Sequence, residues 1–343
     1  MTPPSTPVRT VLVLGANGRF GLAATQAFAA AGWRVLAHVR RDAAAGMPAG
    51  AELVRAPLEA LGVALRGRPA PDLVVHGINP IYTRWDEEAL PAARAAMALA
   101  ERLGARFMLP GNVYNYGEAM PARIDETTPQ RPTTAKGRIR VAMETELAQR
   151  AAAGRLRSTV ITAGDFFGAG SGSWFDAVVA KSIAKGTIGY PGDPTRVHAW
   201  AYLPDLARAF VAVASLDDLA PFERFTFAGH SVTGHAFMSA IERAAAARGL
   251  APARGWRHGR TPWLLIRAGG IVVPMWRELA RMSYLWRTPH ALAGRRLAAR
   301  CPGLVTTPLD EALRASLVAL GLGHPEVARA APSLAAAGTR ASR

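Results

Sequence analysis

The chain has 343 residues, half of them hydrophobic and 19% charged, enough for one large domain or two with a sizeable core and too apolar for disorder throughout. Its single cysteine, Cys301, excludes a disulfide framework and any multi-cysteine zinc site, and suits a reducing, cytoplasmic setting. The net charge of +16 raises nucleic acid and anionic lipid, but lysines are few (Lys136, Lys181, Lys185), arginines are scattered and no run of five like charges occurs, so nucleic acid is disfavoured and a phosphate-bearing small molecule fits equally well.

Residues 1–7 read as a polar, proline-rich tail, and the apolar run Val11–Leu14 is too short for a signal-peptide core. Strand patterns are predicted over Val8–Leu14, Arg34–Val39, Leu53–Val54, Asp72–His76, Arg106–Leu109 and Ser158–Thr162. Helical spacing covers Phe20–Ala31, Glu87–Leu103 and Thr134–Ala153. The alternation predicts an α/β fold: a Rossmann-like, doubly wound parallel sheet with a smaller, mostly helical C-terminal substrate-binding region. The dinucleotide-binding domain is expected over residues 8–168, its sheet completed by part of 195–230. The substrate-binding region is expected over 169–325, with flexible tails at 1–7 and 332–343. After Gly168 the patterns are a strand at Arg224–Phe227, a helix from His235 to Arg248 and a last helix from Thr307 to Gly321. Trp263–Trp276, about 14 residues interrupted by Arg267 and Pro274, is too short to span a bilayer. It reads as a buried helix in preference to a surface contact with a membrane.

Residues 11–21 read Val-Leu-Val-Leu-Gly-Ala-Asn-Gly-Arg-Phe-Gly. Gly15 permits a tight turn, Gly18 lets backbone approach a pyrophosphate, and Gly21 lets helix and strand pack closely. The helix N-terminus supplies donors for phosphate. Asn17, Arg19 and Phe20 belong to the same candidate cofactor loop. At the end of the second strand Val39 stands where an NAD-selective site usually has an acid, followed by Arg40 and Arg41. A guanidinium there grips a 2′-phosphate bidentately, which favours NADP(H) over NAD(H).

Four segments carry a family resemblance: the Gly15/Gly18/Gly21 loop, Val113-Tyr114-Asn115-Tyr116-Gly117, Ala163-Gly164-Asp165-Phe166-Phe167-Gly168 and Tyr202-Leu203-Pro204-Asp205-Leu206-Ala207. Over about residues 8–320 the sequence resembles the short-chain dehydrogenase/reductase superfamily, in its extended and atypical branch of NAD-dependent epimerase/dehydratase-like proteins. The resemblance implies a Ser/Thr, Tyr and Lys site, the last two spaced YxxxK, and a dimer through helices of the Rossmann domain. Here the corresponding helix reads Lys136-Gly137-Arg138-Ile139-Arg140, with Glu144 further on. Lys136 therefore falls at the tyrosine position, Arg140 at the lysine position and Asn112 at the Ser/Thr position.

Two readings of these changes stand open. A neutral Lys136, its pKa depressed by burial and by Arg140, would act as acid/base or Schiff-base nucleophile, with Asn112 orienting a carbonyl oxygen and Arg140 holding the ribose. Alternatively, Lys136 and Arg140 are two cations that bind phosphate or an acidic ligand without chemistry. Tyr114 and Tyr116 are further candidate acids, and Asn79 is a cofactor or substrate contact or a turn-former. Asp165 and Phe166 lie where the family contacts cofactor and substrate. His198, Trp200 and Tyr202 either line a cleft or form a buried aromatic cluster. Asp205 reads as a helix N-terminal charge, and the Arg254–Arg260 cluster around Trp256 as a solvated loop or an anion clamp. The resulting expectation is an NADP(H)-dependent, epimerase/dehydratase-like oxidoreductase for a small-molecule carbonyl or hydroxyl substrate. Its alternative is a non-catalytic NADP(H)-binding sensor.

Overall fold

The computed structural model describes residues 8–323; residues 1–7 and 332–343, read above as tails, lie outside them. In chain order it contains β1 (Thr10–Leu14), α1 (Arg19–Ala30), β2 (Arg34–Val39), β3 (Glu52–Arg55), β4 (Leu73–His76), α2 (Trp85–Leu103), β5 (Arg106–Asn112), α3 (Ala135–Ala152) and β6 (Ser158–Ala163). Then come β7 (Asp165–Phe167), β8 (Val197–Tyr202), α4 (Leu203–Ala214), β9 (Phe222–Thr226), β10 (His230–Thr233), α5 (Gly234–Ala246), α6 (Trp263–Gly269), α7 (Pro274–Arg281) and α8 (Leu309–Ala319). Helix α2 starts before the apolar pattern does, because Asp86, Glu87 and Glu88 favour the positive end of the helix dipole.

Seven parallel strands form the main sheet in the order β9-β6-β5-β4-β1-β2-β3. Successive residues of β1 point to opposite faces. Val11 and Val13 join Phe20 and Phe28 of α1 and Leu206 and Phe210 of α4. Leu12 and Leu14 join Trp85 and Met97 of α2 and Met143 and Leu147 of α3. Both faces are thus covered, as a parallel sheet requires. The strand order reverses between β1 and β4, which opens a crevice at their carboxyl ends.

The seventh strand comes from within 195–230. Its last residue, Thr226, donates from N and Oγ1 to Glu126 Oε1, at 2.7 and 2.9 Å. A smaller sheet, β7-β8-β10, and two two-stranded pairings, Thr187–Tyr190 with Arg257–Arg260 and Arg123–Ile124 with Ala291–Leu292, complete the later part. Strands this short carry too few residues for a periodic signal. Asp205 sits in the first turn of α4, where its buried carboxylate accepts from Thr307 N and Oγ1, both at 2.7 Å, and ties the helix to the start of α8.

One expectation is corrected. Trp263–Trp276 is not a buried helix. It forms α6 and the start of α7, a hairpin broken at Gly269-Gly270 and restarted at Pro274, with Leu264, Leu265, Ile271 and Val272 exposed. Proline cannot continue the first helix, and only one side of the hairpin meets the protein. Among the described residues no helix is long and apolar enough to cross a membrane. The Arg254–Arg260 segment lies exposed at the surface, with His258 paired to Glu242 at 2.7 Å.

Candidate active site

At the end of β1, Gly15 turns at φ +70°, and a Cβ on Gly21 would stand 2.1 Å from Gly15 O. Gly77, just past β4, completes the contact: its Cβ would stand 2.7 Å from Leu14 O and 3.1 Å from Gly21 Cα. Three backbones meet where no side chain fits. Gly77 was not singled out in the sequence, although it directly follows a strand. Gly18 is the N-cap of α1 and no side chain caps the helix. The first-turn N–H groups are therefore open to a phosphate.

The other loop residues divide. Asn17 Nδ2 donates to Asp42 O at 2.7 Å and its Oδ1 accepts from Ala44 N at 2.9 Å, so its side chain braces the loop against the segment after β2. Arg19 donates to Gly168 O at 3.1 Å and Gly172 O at 3.3 Å, joining the glycine loop to the segment after β7. Phe20 packs in the core on Phe210, ring centroids 4.9 Å apart. Its side chain is therefore withdrawn from the crevice, contrary to expectation, and only its backbone belongs to the loop. Arg40 and Arg41 lie exposed after β2, and Asn79 lies exposed beyond Gly77. His38, unanticipated, accepts from Gly15 N at 3.4 Å and faces Ala56 O at 2.9 Å. Burial pushes its imidazole below the usual histidine value.

Across the crevice, Asn112 ends β5 and its Oδ1 accepts from Tyr114 N at 3.1 Å, capping the turn Val113–Tyr116. Helix α3 packs directly on that turn: a Cβ on Gly137 would stand 2.4 Å from Tyr114 O. Thr134 caps α3 by accepting from Gly137 N at 3.2 Å. Glu144, buried, accepts from Asn115 Nδ2 and Gln130 Nε2, both at 2.7 Å, and pairs with Arg224 at 3.1 Å. The turn is thereby locked to α3 and to β9. Tyr116 is buried, as a packing residue of this turn.

Lys136 and Arg140 are one helical turn apart but serve different partners. Lys136 is 2% exposed; its Nζ donates to Tyr82 O at 2.8 Å and pairs with Glu278 of α7 at 2.8 Å. It also lies 4.4 Å from the Tyr82 ring centroid. Arg140 donates to Pro110 O at 3.0 Å and stacks over Trp85 at 4.9 Å. The expected free amine beside a second cation is corrected: an anion 142 positions further along the chain holds Lys136. Only the tertiary fold brings Glu278 there.

Tyr114 and Tyr82 share a hydroxyl hydrogen bond. Burial, with the charge of Asp165 as a further cause, pushes both phenols well above the usual tyrosine value, so both stay protonated at neutral pH. Asp165 itself, at the start of β7, pairs with His198 Nε2 at 2.8 Å. His198 stacks on Trp286 at 4.2 Å and meets the His290 ring at 4.6 Å. Burial, then His198, pushes His290 down to about 4. Trp200 is wholly buried against Phe237, so the aromatic-cluster reading holds for it. The Asp165–His198 pair was not assembled from sequence, because 33 residues separate its members.

A sequence profile of the NAD dependent epimerase/dehydratase family matches residues 11–225. No curated protein matches the sequence. Among solved structures, UDP-glucose 4-epimerase from Brucella ovis in complex with NAD is 18% identical, with TM-score 0.70 over 92% of this chain and 99% of that one. The UDP-Glc/GlcNAc 4-epimerase from Campylobacter jejuni is 14% identical, with TM-score 0.70 over 91% and 98%. The NDP-hexosamine 5,6-dehydratase TunA is 16% identical, with TM-score 0.65 over 91% and 97%. The profile spans most of the sheet and both walls of the crevice, from the β1 glycine loop to the strand that Glu144 ties down, and the chain belongs to the NAD-dependent epimerase/dehydratase family.

Proposed function

We propose that the protein binds a nicotinamide dinucleotide, NADP(H) in preference to NAD(H), and acts as an oxidoreductase on a hydroxyl or carbonyl group of a polar substrate of the nucleotide-sugar class. The observation that carries this reading is the crevice itself. An uncapped helix N-terminus and a cradle without side chains form one wall. The opposite wall gathers Asn112, Tyr114, Lys136 and Arg140.

The cradle fits a pyrophosphate, and when bound the nicotinamide supplies or accepts the hydride. Asn112 spends its oxygen on Tyr114 N, which leaves its amide hydrogens to orient a substrate oxygen. Tyr114, held protonated, donates a hydrogen bond to that oxygen, and its neighbour Tyr82 extends the hydrogen-bonded path. Arg140 supplies fixed donors for ribose hydroxyls. Lys136, paired with Glu278, donates to Tyr82 O and lies against the Tyr82 ring, which positions that tyrosine. Arg40 and Arg41 support the 2′-phosphate reading. The neighbouring structure with NAD bound makes NAD(H) the competing outcome.

A second reading, a dinucleotide sensor without turnover, is favoured by one observation: Lys136 is sealed in an ion pair at the position of the family's acid/base. Calorimetric titration with NADPH and with NADH, followed by a screen of UDP-sugars for absorbance change, tests both. Tight NADPH and weak NADH binding supports the arginine reading, equal binding removes it, and binding of neither removes enzyme and sensor together. Lys136→Met then separates those two: an enzyme loses turnover and keeps dinucleotide affinity, whereas a sensor has no turnover to lose.

A further inference from the structure

Seven of the twelve exposed large apolar side chains among the described residues lie between Leu264 and Trp276. Leu264, Leu265, Ile271 and Val272, the most exposed of them, form the outer surface of the α6–α7 hairpin. Ile271 and Val272 at its tip are 84% and 82% exposed, and Leu264 and Leu265 on α6 are 79% and 66% exposed. Monomeric soluble proteins rarely leave so dense an apolar patch without a use.

The hairpin is built to hold this surface out. A Cβ on Gly269 would stand 2.3 Å from the Trp276 ring, and one on Gly270 3.0 Å from Arg277 Cα, so the two helices close on a glycine pair. Val273 N donates to Gly269 O at 2.8 Å and fixes the tip. At the base, Trp263 Nε1 donates to Pro191 O at 2.6 Å on one side, and Glu278 pairs with Lys136 on the other. The inner face is satisfied and the outer face is apolar.

Charge says what covers it. From Ala244 to Arg277 the sequence has six arginines and no carboxylate. Beside the tip, Arg267, Arg277 and Arg281 surround an open depression of about 560 Å³ that also includes Ile271. An apolar tip collared by guanidinium groups is complementary to acyl chains beneath anionic headgroups. It is a poor surface for a second copy, because a two-fold contact would set the same arginines against each other.

We propose that the α6–α7 hairpin is a monotopic docking element: Ile271 and Val272 enter the interface of an anionic lipid bilayer while Arg267 and Arg277 engage lipid phosphates. The hairpin is too short to span the bilayer and lies in its surface.

The test is co-sedimentation of the full chain with vesicles of phosphatidylcholine alone, or with about one third phosphatidylglycerol. The expected result is partition onto the anionic vesicles that weakens with salt. Ile271→Ser/Val272→Ser lowers it about tenfold or more. Arg267→Gln/Arg277→Gln lowers it about fivefold for each arginine and flattens the salt dependence. Both variants change exposed positions, and an unchanged melting temperature confirms that each is folded. Absence of partition onto the anionic vesicles overturns the proposal. So does equal partition onto neutral vesicles, or an apolar variant that binds as wild type, which would leave only the net charge at work. Sedimentation velocity supplies a further refutation: a wild-type dimer that Ile271→Ser/Val272→Ser dissociates would make the tip a self-association surface.

Discussion

Replacing Glu278 by glutamine keeps the shape at the base of α7 but removes the anion paired with Lys136. The structure sets the scale. At 2.8 Å and an effective dielectric constant of about 20, the gross attraction is about 6 kcal/mol, and desolvation of both groups returns a large part of it. Removing one partner leaves an ammonium that is 2% exposed without a counter-charge, which destabilises by about 3–5 kcal/mol. Glutamine, still able to accept from Nζ, belongs at the lower end. For a chain of this length that lowers the melting temperature by roughly 4 °C. The two partners are not equivalent. Glu278 also pairs with Arg281 at 2.7 Å, whose side chain is 52% exposed, so Lys136→Met leaves no lone buried charge and costs about 1–2 kcal/mol. A double variant, Lys136→Met/Glu278→Gln, falls short of the sum of the singles by at least about 1 kcal/mol. Calorimetric melting at neutral pH for all four proteins measures the cycle. A Glu278→Gln penalty below about 1 kcal/mol, or a larger penalty for Lys136→Met, would refute the assignment of this pair as a buried counter-ion couple.

Gly137→Ala forces a Cβ to within 2.4 Å of Tyr114 O, so α3 must lift from the turn at Val113–Tyr116. Turnover or dinucleotide affinity should fall at least tenfold while far-ultraviolet circular dichroism keeps its helical signal; unchanged binding and turnover would contradict the packing. His76 is buried against Phe107, and burial, then Arg140, pushes it down to about 3. Its neutral form is the folded one, so its contribution to stability is complete above about pH 6.5 and is lost as pH falls from there toward 3, at about 1.4 kcal/mol per unit. His76→Phe should flatten the acid side of the urea-midpoint profile by one proton, and an unchanged slope would show that His76 takes no part. Arg40→Ala/Arg41→Ala should weaken NADPH binding about tenfold or more and leave NADH binding within twofold. Parallel loss of both would show general electrostatics in place of 2′-phosphate recognition.

Fold and glycine loop were legible from sequence because their signals are local. The alternation of β1 to β6 with α1 to α3 needs only periodicity, and Gly15, Gly18 and Gly21 announce their turn within seven residues. Even there the type of contact was hidden: Asn17 and Phe20 face protein, and Gly77 closes the cradle from another strand. The candidate active site was legible only in part. The segment around Asn112, Tyr114, Lys136 and Arg140 could be found, but the partners that set its chemistry lie far along the chain. Glu278 sits with Arg277 and Arg281 among the charged residues of a short amphipathic helix, a pattern that reads as solvent-facing, yet the fold buries Glu278. Asp165 and His198 come from two strands whose pairing no short motif encodes.

The seventh strand imposes a schedule on synthesis. β6 ends at Ala163 and its neighbour β9 begins only at Phe222, so about 60 residues must be added between them, roughly 3–12 s at the pace of a ribosome. During that interval β6 is a sheet edge with unpaired N–H and C=O groups, and until α4 is made Phe20 and Phe28 of α1 lack the cover it provides. A fragment ending at Gly168 would keep that state permanently. It should aggregate where the whole chain folds, so this half is better studied by substitution than by cutting it out.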